Sequence, residues 1–323
     1  FDKRKKANAE AYANYIVRIH AGENGDTPAI DLYTPEDLRV FLGKGDQKAK
    51  LLWPHSMTAV PYDGETQLAA RTLAAKMNSD TAKMQVIVTV THGKPIEFAK
   101  QCFHDRNAFQ QRASTGVAMA MDTRDPMINV VRTIEAEVKA ARGAILWKSR
   151  QMPKKGSQFI AAASFMRTAT IYLAYGISGV QMQTAESPPG LSEAEFTERA
   201  VLWFGKVIDK CSAFMRDRDS YVTSSPAVWA ALGAMGHPLM KPDVKDKLTL
   251  NTIADGLVAK LSDVVWKKSD RWVGIAVKST ATGYSFAGGA KDTGSIAFKA
   301  LDDQHDDNYQ RIRQVAITHA QAA

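Results

Sequence analysis

Between Pro61 and Arg71 the chain reads PYDGETQLAAR, which sets two carboxylates, Asp63 and Glu65, on either side of a glycine and just before a helical pattern. Asp-Gly suits a tight turn because glycine accepts backbone angles that cost other residues. Gln67 to Met77 then carry Leu68, Ala69, Leu73 and Met77 at helical spacing. A helix N-terminus offers unpaired N–H groups and the positive end of the macrodipole, so the backbone around Gly64, Thr66 and Gln67 could hold an anion, phosphate above all. Asp63 and Glu65 could hold Mg²⁺ beside it, or serve as catalytic carboxylates with Glu65 as general base. Arg71, four residues beyond Gln67 and on the same face, could add positive charge. Without a ligand, the same turn is ordinary punctuation before an amphipathic helix.

A second group of polar residues, FHDRN, holds His104, Asp105 and Asn107 near the end of a helix predicted over Pro95–Asp105. Asp105 and Asn107 could orient a ligand, and the alternative is a helix C-cap, where Asn is common. DDQHDD at 302–307 lacks a turn glycine and reads as a solvated charge run. GKGDQK at 43–48 lacks the Gly-Lys-Ser/Thr helix start of a phosphate loop and reads as a surface loop. Basic residues gather at Lys3, Arg4, Lys5 and Lys6, and again at Lys148, Arg150, Lys154 and Lys155 around Trp147 and Met152. Such groups bind nucleic-acid phosphates without reading sequence, and an aromatic among them permits stacking. Lys267, Lys268 and Arg271 form a third group between Trp266 and Trp272, two residues that also suit core anchors.

These residues need elements to position them. Helices are predicted over Lys3–His20 and Gln67–Met77, extended segments over Ala29–Tyr33 and Leu51–Trp53, and a strand over Met84–Val90. The Pro95–Asp105 helix should pack Ile96, Ala99, Cys102 and Phe103 against that strand and turn its end toward the Asp63–Glu65 turn. From Asp125, an N-cap before Pro126, helices dominate: the Ile128, Val131, Ile134 and Val138 stripe, then Phe159–Ile177, Ser192–Met215 and Val244–Leu261. SPPG at 187–190 and HPLMKPD near His237 read as turns, and Trp272–Val277 with Tyr284–Phe286 as a hairpin before a last helix from Thr293.

With 323 residues, 45% hydrophobic and 24% charged, the chain can bury a substantial core. A net charge of +8 favours an anionic partner such as DNA, spread too thinly for a basic tail. Two cysteines, Cys102 and Cys211, have neither zinc spacing nor a disulfide framework, so a reducing, cytoplasmic setting is expected. FDKRKK is not followed by a signal-type apolar region, and Phe159–Val180 is broken by Ser164, Arg167, Thr168 and Thr170, so neither secretion nor a membrane span is expected.

The pieces DGETQLAA, MQVIVTV and FHDRNAFQQRAS, in that order, resemble the DGQHR-domain family, which includes the DndB-type proteins of DNA phosphorothioation systems and is related to the ParB/sulfiredoxin-like fold. Upstream, KRKKANAEAYANYIV and PAIDLYT resemble the family's opening helix and first extended segment. Downstream, WKKSDRWVGIAVKSTATGYSFAGGAKDTGSIAFKAL resembles its closing segment, so the likeness spans nearly the whole chain. Where the family has Gln-His-Arg, this chain has Glu65, Thr66 and Gln67, while Gly64-Glu65 is similar to the pair used in ParB-type nucleotide pockets. The resemblance implies an α+β fold: a ParB-like domain over 1–124, a helical region over 125–265, and a hairpin and helix over 266–323 that pack back on the core. It implies a DNA-associated regulator or accessory factor whose pocket takes phosphate or a nucleotide through Gly64, Thr66, Gln67, Arg71, Asp105 and Asn107, with Mg²⁺ on Asp63 and Glu65. Two alternatives stay open, an Mg²⁺-dependent nucleoside triphosphate hydrolase or phosphotransferase using Glu65, and a protein-interaction scaffold with a degenerate pocket. A homo-oligomer is compatible with each.

Overall fold

A computed structural model describes residues 3–42, 49–109, 115–149, 152, 157–181 and 186–313. The fold is α+β, in two compact units, Phe1–Arg112 and Ala113–Ala323. Residues 125–265 and 266–323 thus share the second unit.

The first unit runs α1 (Lys3–His20), β1 (Ile30–Thr34), the short pair β2 (Val40–Phe41) and β3 (Lys50–Leu51), β4 (Val60–Asp63), α2 (Glu65–Met77), β5 (Val88–His92) and α3 (Ile96–Phe109). β1 is the central strand of a mixed sheet, antiparallel to β4 and parallel to β5. α1 and α2 pack through Ala13, Ile16, Ala70 and Ala74, and the three alanines let the two backbones come close. The predicted strand over Met84–Val90 forms four residues later, because the Ser79–Lys83 segment is a 3₁₀ turn whose Thr81 carbonyl still accepts from the Met84 amide. α3 also departs from expectation. Its main sheet partner is β4, on the opposite edge from β5, and of the predicted stripe Ala99 is buried while Ile96 and Phe103 stay 44% and 53% exposed.

In the second unit α4 (Thr115–Met121) precedes α5 (Pro126–Glu137), which starts as its sequence dictates: the Asp125 carboxylate accepts from the Met127 and Ile128 amides. Ile128, Val131, Ile134 and Val138 are all buried. β6 (Ile145–Leu146) pairs with β7 (Ala161–Ala162), so α6 begins only after that pairing and spans Ala163–Tyr175. α7 (Glu193–Met215) has a capping box in which Ser192 and Glu195 exchange hydrogen bonds. α8 (Pro226–Met235) is buried from Ala227 to Met235 and has no amphipathic period to announce it. α9 (Lys247–Ala259), the hairpin β8 (Val277–Thr280) and β9 (Gly283–Phe286), α10 (Ala290–Asp302) and α11 (Asp307–Arg311) complete the unit.

The predicted strand over Trp272–Val277 yields to turns. Trp272 ends a 3₁₀ segment, the amides of Ile275 and Ala276 bond back to its carbonyl, and Gly274 sits at φ 80°, so β8 starts only at Val277. α8 lies in contact with α6 and α10, and the surrounding core holds Trp203, Trp229 and Trp272 fully buried. Trp266 and Trp272 stack with ring centroids 5.8 Å apart, as core anchors. No helix among the described residues is long and apolar enough to cross a membrane.

The two cysteines are free and differ in setting. Cys211 is fully buried on α7 and burial pushes its thiol up to about 12, so at neutral pH it lacks the thiolate that reacts. Half-buried Cys102 lies on α3. A disulfide reagent should therefore titrate Cys102 alone in the folded protein and both thiols in denaturant; fast reaction of two thiols under native conditions would contradict the buried position of Cys211.

Candidate functional site: the turn before the second helix

β4 delivers the chain to the Asp63–Glu65 turn, and β1 sets the turn's floor. Gly64 adopts φ 91°, and a Cβ there would sit 3.3 Å from both Cα and Cγ2 of Ile30. The position thus needs glycine for its backbone angle, and the neighbouring strand leaves a side chain little room. The Asp63 carboxylate accepts from the Gly64 amide at 2.8 Å, and the Gly64 carbonyl accepts from Leu68 at 3.0 Å, closing the first turn of α2. No side chain caps this helix. Its first-turn donors therefore lie at the end of a chain segment that carries two exposed carboxylates, Asp63 and Glu65.

Gln67 and Arg71 turn inward. The Arg71 guanidinium donates to Thr27 Oγ1 at 2.7 Å, and its Nε is buried without a hydrogen-bond partner. Gln67 Oε1 and the Tyr12 hydroxyl are likewise buried and unpartnered. Burial raises the Tyr12 phenol above its ordinary range, and the nearby positive charge of Arg71 partly opposes that shift. Buried polar groups are normally satisfied, so three orphaned atoms on α1 and α2 mark a place suited to water or a polar ligand group. Tyr12 and Thr27 were not singled out by sequence. Their only signal was Tyr12 on the buried side of a helix, and nothing in the chain order pairs either with Arg71.

α3 runs through Phe109, so Asp105 and Asn107 lie inside the helix rather than capping it, and the helix meets β4, the strand that ends in Asp63. Asp105 accepts from Gln101 Nε2 at 2.6 Å and lies 3.2 Å from His104 Nδ1. The Asn107 side chain is outside the described residues. Thr66 is half-buried in the first turn of α2.

Asp63 and Glu65 flank a single residue, and among the described residues no group of three His, Cys, Asp or Glu side chains is gathered for a metal. That donor set fits Mg²⁺ held by one or two carboxylates with water and phosphate oxygens completing the shell, and does not fit an all-protein cage.

The predicted DNA-contacting residues divide. Lys6 is exposed on α1, and Lys3, Arg4 and Lys5 belong to the same helix, their side chains outside the described set. Lys148 is exposed, whereas Arg150, Lys154, Lys155 and the 43–48 loop lie outside the described residues. Sequence reading passed over Arg216 and Arg218, which alternate with Asp217 and Asp219 and so read as a balanced charge run.

In comparison with known proteins, the DndB family model, described as DNA-sulfur modification-associated, matches residues 46–304. The match takes in the Asp63–Glu65 turn and runs through α10. No curated protein and no solved structure matches the chain significantly.

Proposed function

Since the chain belongs to the DndB family, we propose that it is a DNA-associated accessory or regulatory factor of a DNA-sulfur modification system, with a phosphate-bearing ligand held at the Asp63–Gln67 turn. The observation that carries the reading is the family match over 46–304, most of the chain's length. The turn supports it locally: α2 begins without a side-chain cap, and Gly64 brings the backbone close to β1 in a conformation other residues resist. A phosphate there would meet backbone donors, the α2 dipole, and Mg²⁺ on Asp63 and Glu65, which would offset phosphate charge. Asn107 and Asp105 would orient the ligand from α3, and the basic groups would contact DNA. Gln67 and Arg71, directed toward α1, would act on the ligand only through the orphaned polar atoms beside them.

Fluorescence anisotropy of a labelled duplex tests the DNA contact. Binding at low salt that weakens steeply as salt rises is expected, because neutralised phosphates release counterions. A protein that leaves the duplex free at low salt would contradict the reading. Phosphate release from ATP, CTP or GTP with Mg²⁺ and duplex should stay at background in both wild type and Glu65→Gln. Turnover abolished by that substitution would replace the accessory role with a hydrolase.

A further inference from the structure

We propose that the second unit grips duplex nucleic acid by its phosphates through Arg216, Arg218 and Lys267, with the two arginines held in place over aromatic rings. This rests on the reading of the protein as DNA-associated and adds where and how the duplex is held.

Arg216 places its guanidinium 4.0 Å from the centre of the Phe159 ring, while Arg218 and Lys268 both lie over Phe286, at 5.4 and 4.1 Å. Two chain segments meet here. The Lys268 amide donates to the Ser220 carbonyl at 2.8 Å, and Tyr221 and Lys267 form an isolated bridge, so the segment after α7 lies beside the one before Trp272. Arg218 is further fixed by a hydrogen bond to the Met152 carbonyl. Arg216 and Lys267 are exposed, and Arg218 is half-buried.

Charge pairing separates this cluster from five cations of the unit that are tied to carboxylates. Lys206, Lys247, Lys260, Arg167 and Arg313 each face a carboxylate within 4.0 Å. Among the described residues, Arg216, Arg218 and Lys267 pair with none, although three aspartates are near. Asp217 directs its carboxylate to Ser220, whose hydrogen bonds hold it below the ordinary range, helped by the charge of Lys268. Asp270 is engaged by the Tyr284 hydroxyl. Asp219 is exposed on the same segment and has interactions of its own. Asp217 and Asp270 thus accept from Ser220 and Tyr284, and Arg216, Lys267 and the N–H groups of Arg218 not given to Met152 are left to meet an outside anion.

The rings decide how that anion is met. A guanidinium resting on a ring is held by cation–π attraction, which fixes its position while its N–H groups can still donate in the guanidinium plane. A ring face covered by a cation is closed to a stacked base. The expected contact is therefore with the phosphate backbone, with no preference among base sequences.

Anisotropy with two duplexes of unrelated sequence tests this. Arg216→Gln/Lys267→Gln should lower the slope of log affinity against log salt by about two units, and adding Arg218→Gln by about three, equally on both duplexes. The double variant keeps the Arg218–Met152 bond, so it remains informative if the triple variant melts early. An unchanged slope in a wild type that does bind DNA overturns this surface and leaves the DNA-associated reading standing. No binding by wild type removes both. A loss confined to one sequence, or equal competition by polyglutamate of matched charge, would also overturn it, the latter in favour of an acidic protein partner.

Discussion

Gly233→Ala is expected to destabilise the second unit by about 3 kcal/mol or more, although alanine is the better helix former by about 1 kcal/mol. The added Cβ would stand 2.1 Å from the carbonyl oxygen of Ala169 and within 2.9 Å of that residue's carbonyl carbon and Cα. These are backbone atoms of α6, so no side-chain rotation gives relief and the two helices must part. Three residues on, a Cβ at Gly236 would meet Leu173 and Trp203 at 2.6 Å, so the contact is close at both points. Gly256, exposed on α9, is the control: a Cβ added there would meet nothing within 4 Å, and Gly256→Ala should raise stability by about 0.5–1 kcal/mol. Thermal unfolding by circular dichroism reads both, with a fall of about 5–10 °C for the first and a small rise for the second. Equal shifts in one direction would mean that α6 and α8 do not cross at Gly233.

Arg313→Met should cost about 3–5 kcal/mol, as breaking a buried charged network does. The side chain is 6% exposed and donates to the carbonyls of Lys260, Ala300, Leu301 and Tyr309 at 2.8 to 3.1 Å. Lys260 caps the end of α9, and Ala300 and Leu301 lie in the last turn of α10, so one guanidinium serves two helix C-termini and meets the negative ends of both dipoles. It also rests 3.5 Å from the centre of the Tyr309 ring. Its ion pair with Asp263 is of less consequence, because that carboxylate is 63% exposed and water screens it. Asp263→Asn should accordingly cost under about 1 kcal/mol in urea denaturation. Equal losses from the two substitutions would show that the charge pair, and not the carbonyl cluster, holds Arg313.

Local signals in the chain were read well where chemistry is local. Lys3–His20 is a helix over those same residues, and Ser192 and Asp125 start helices because a hydroxyl or carboxylate before an apolar run has orphaned amides to accept from. α8 was missed because a helix buried on all sides has no polar face. The Ser225-Pro226 start and Gly236 at its end were its only marks. Met84–Val90 and Trp272–Val277 look like strands by composition, but turns at Ser79–Lys83 and Asp270–Trp272 displace them toward the C-terminus. In the candidate site, the turn itself was legible, since Asp-Gly before a helix has few other backbone solutions. The inward direction of Arg71 was not, because Thr27 and Tyr12 reach it only through the packing of α1 on α2. The ring-held arginines escaped for the same reason: Phe159 and Phe286 are far from Arg216 and Arg218 in sequence.

A role as an accessory or regulator of DNA-sulfur modification makes the state of the DNA itself the readout. The measurement to make is the amount of sulfur-modified linkages, by mass spectrometry of digested DNA, together with expression of the modifying enzymes, in cells with and without this chain. The expected result is a change in one of the two that wild type restores and the Arg216→Gln/Arg218→Gln/Lys267→Gln variant does not. Unchanged modification and unchanged expression on removing the chain would contradict the proposed role.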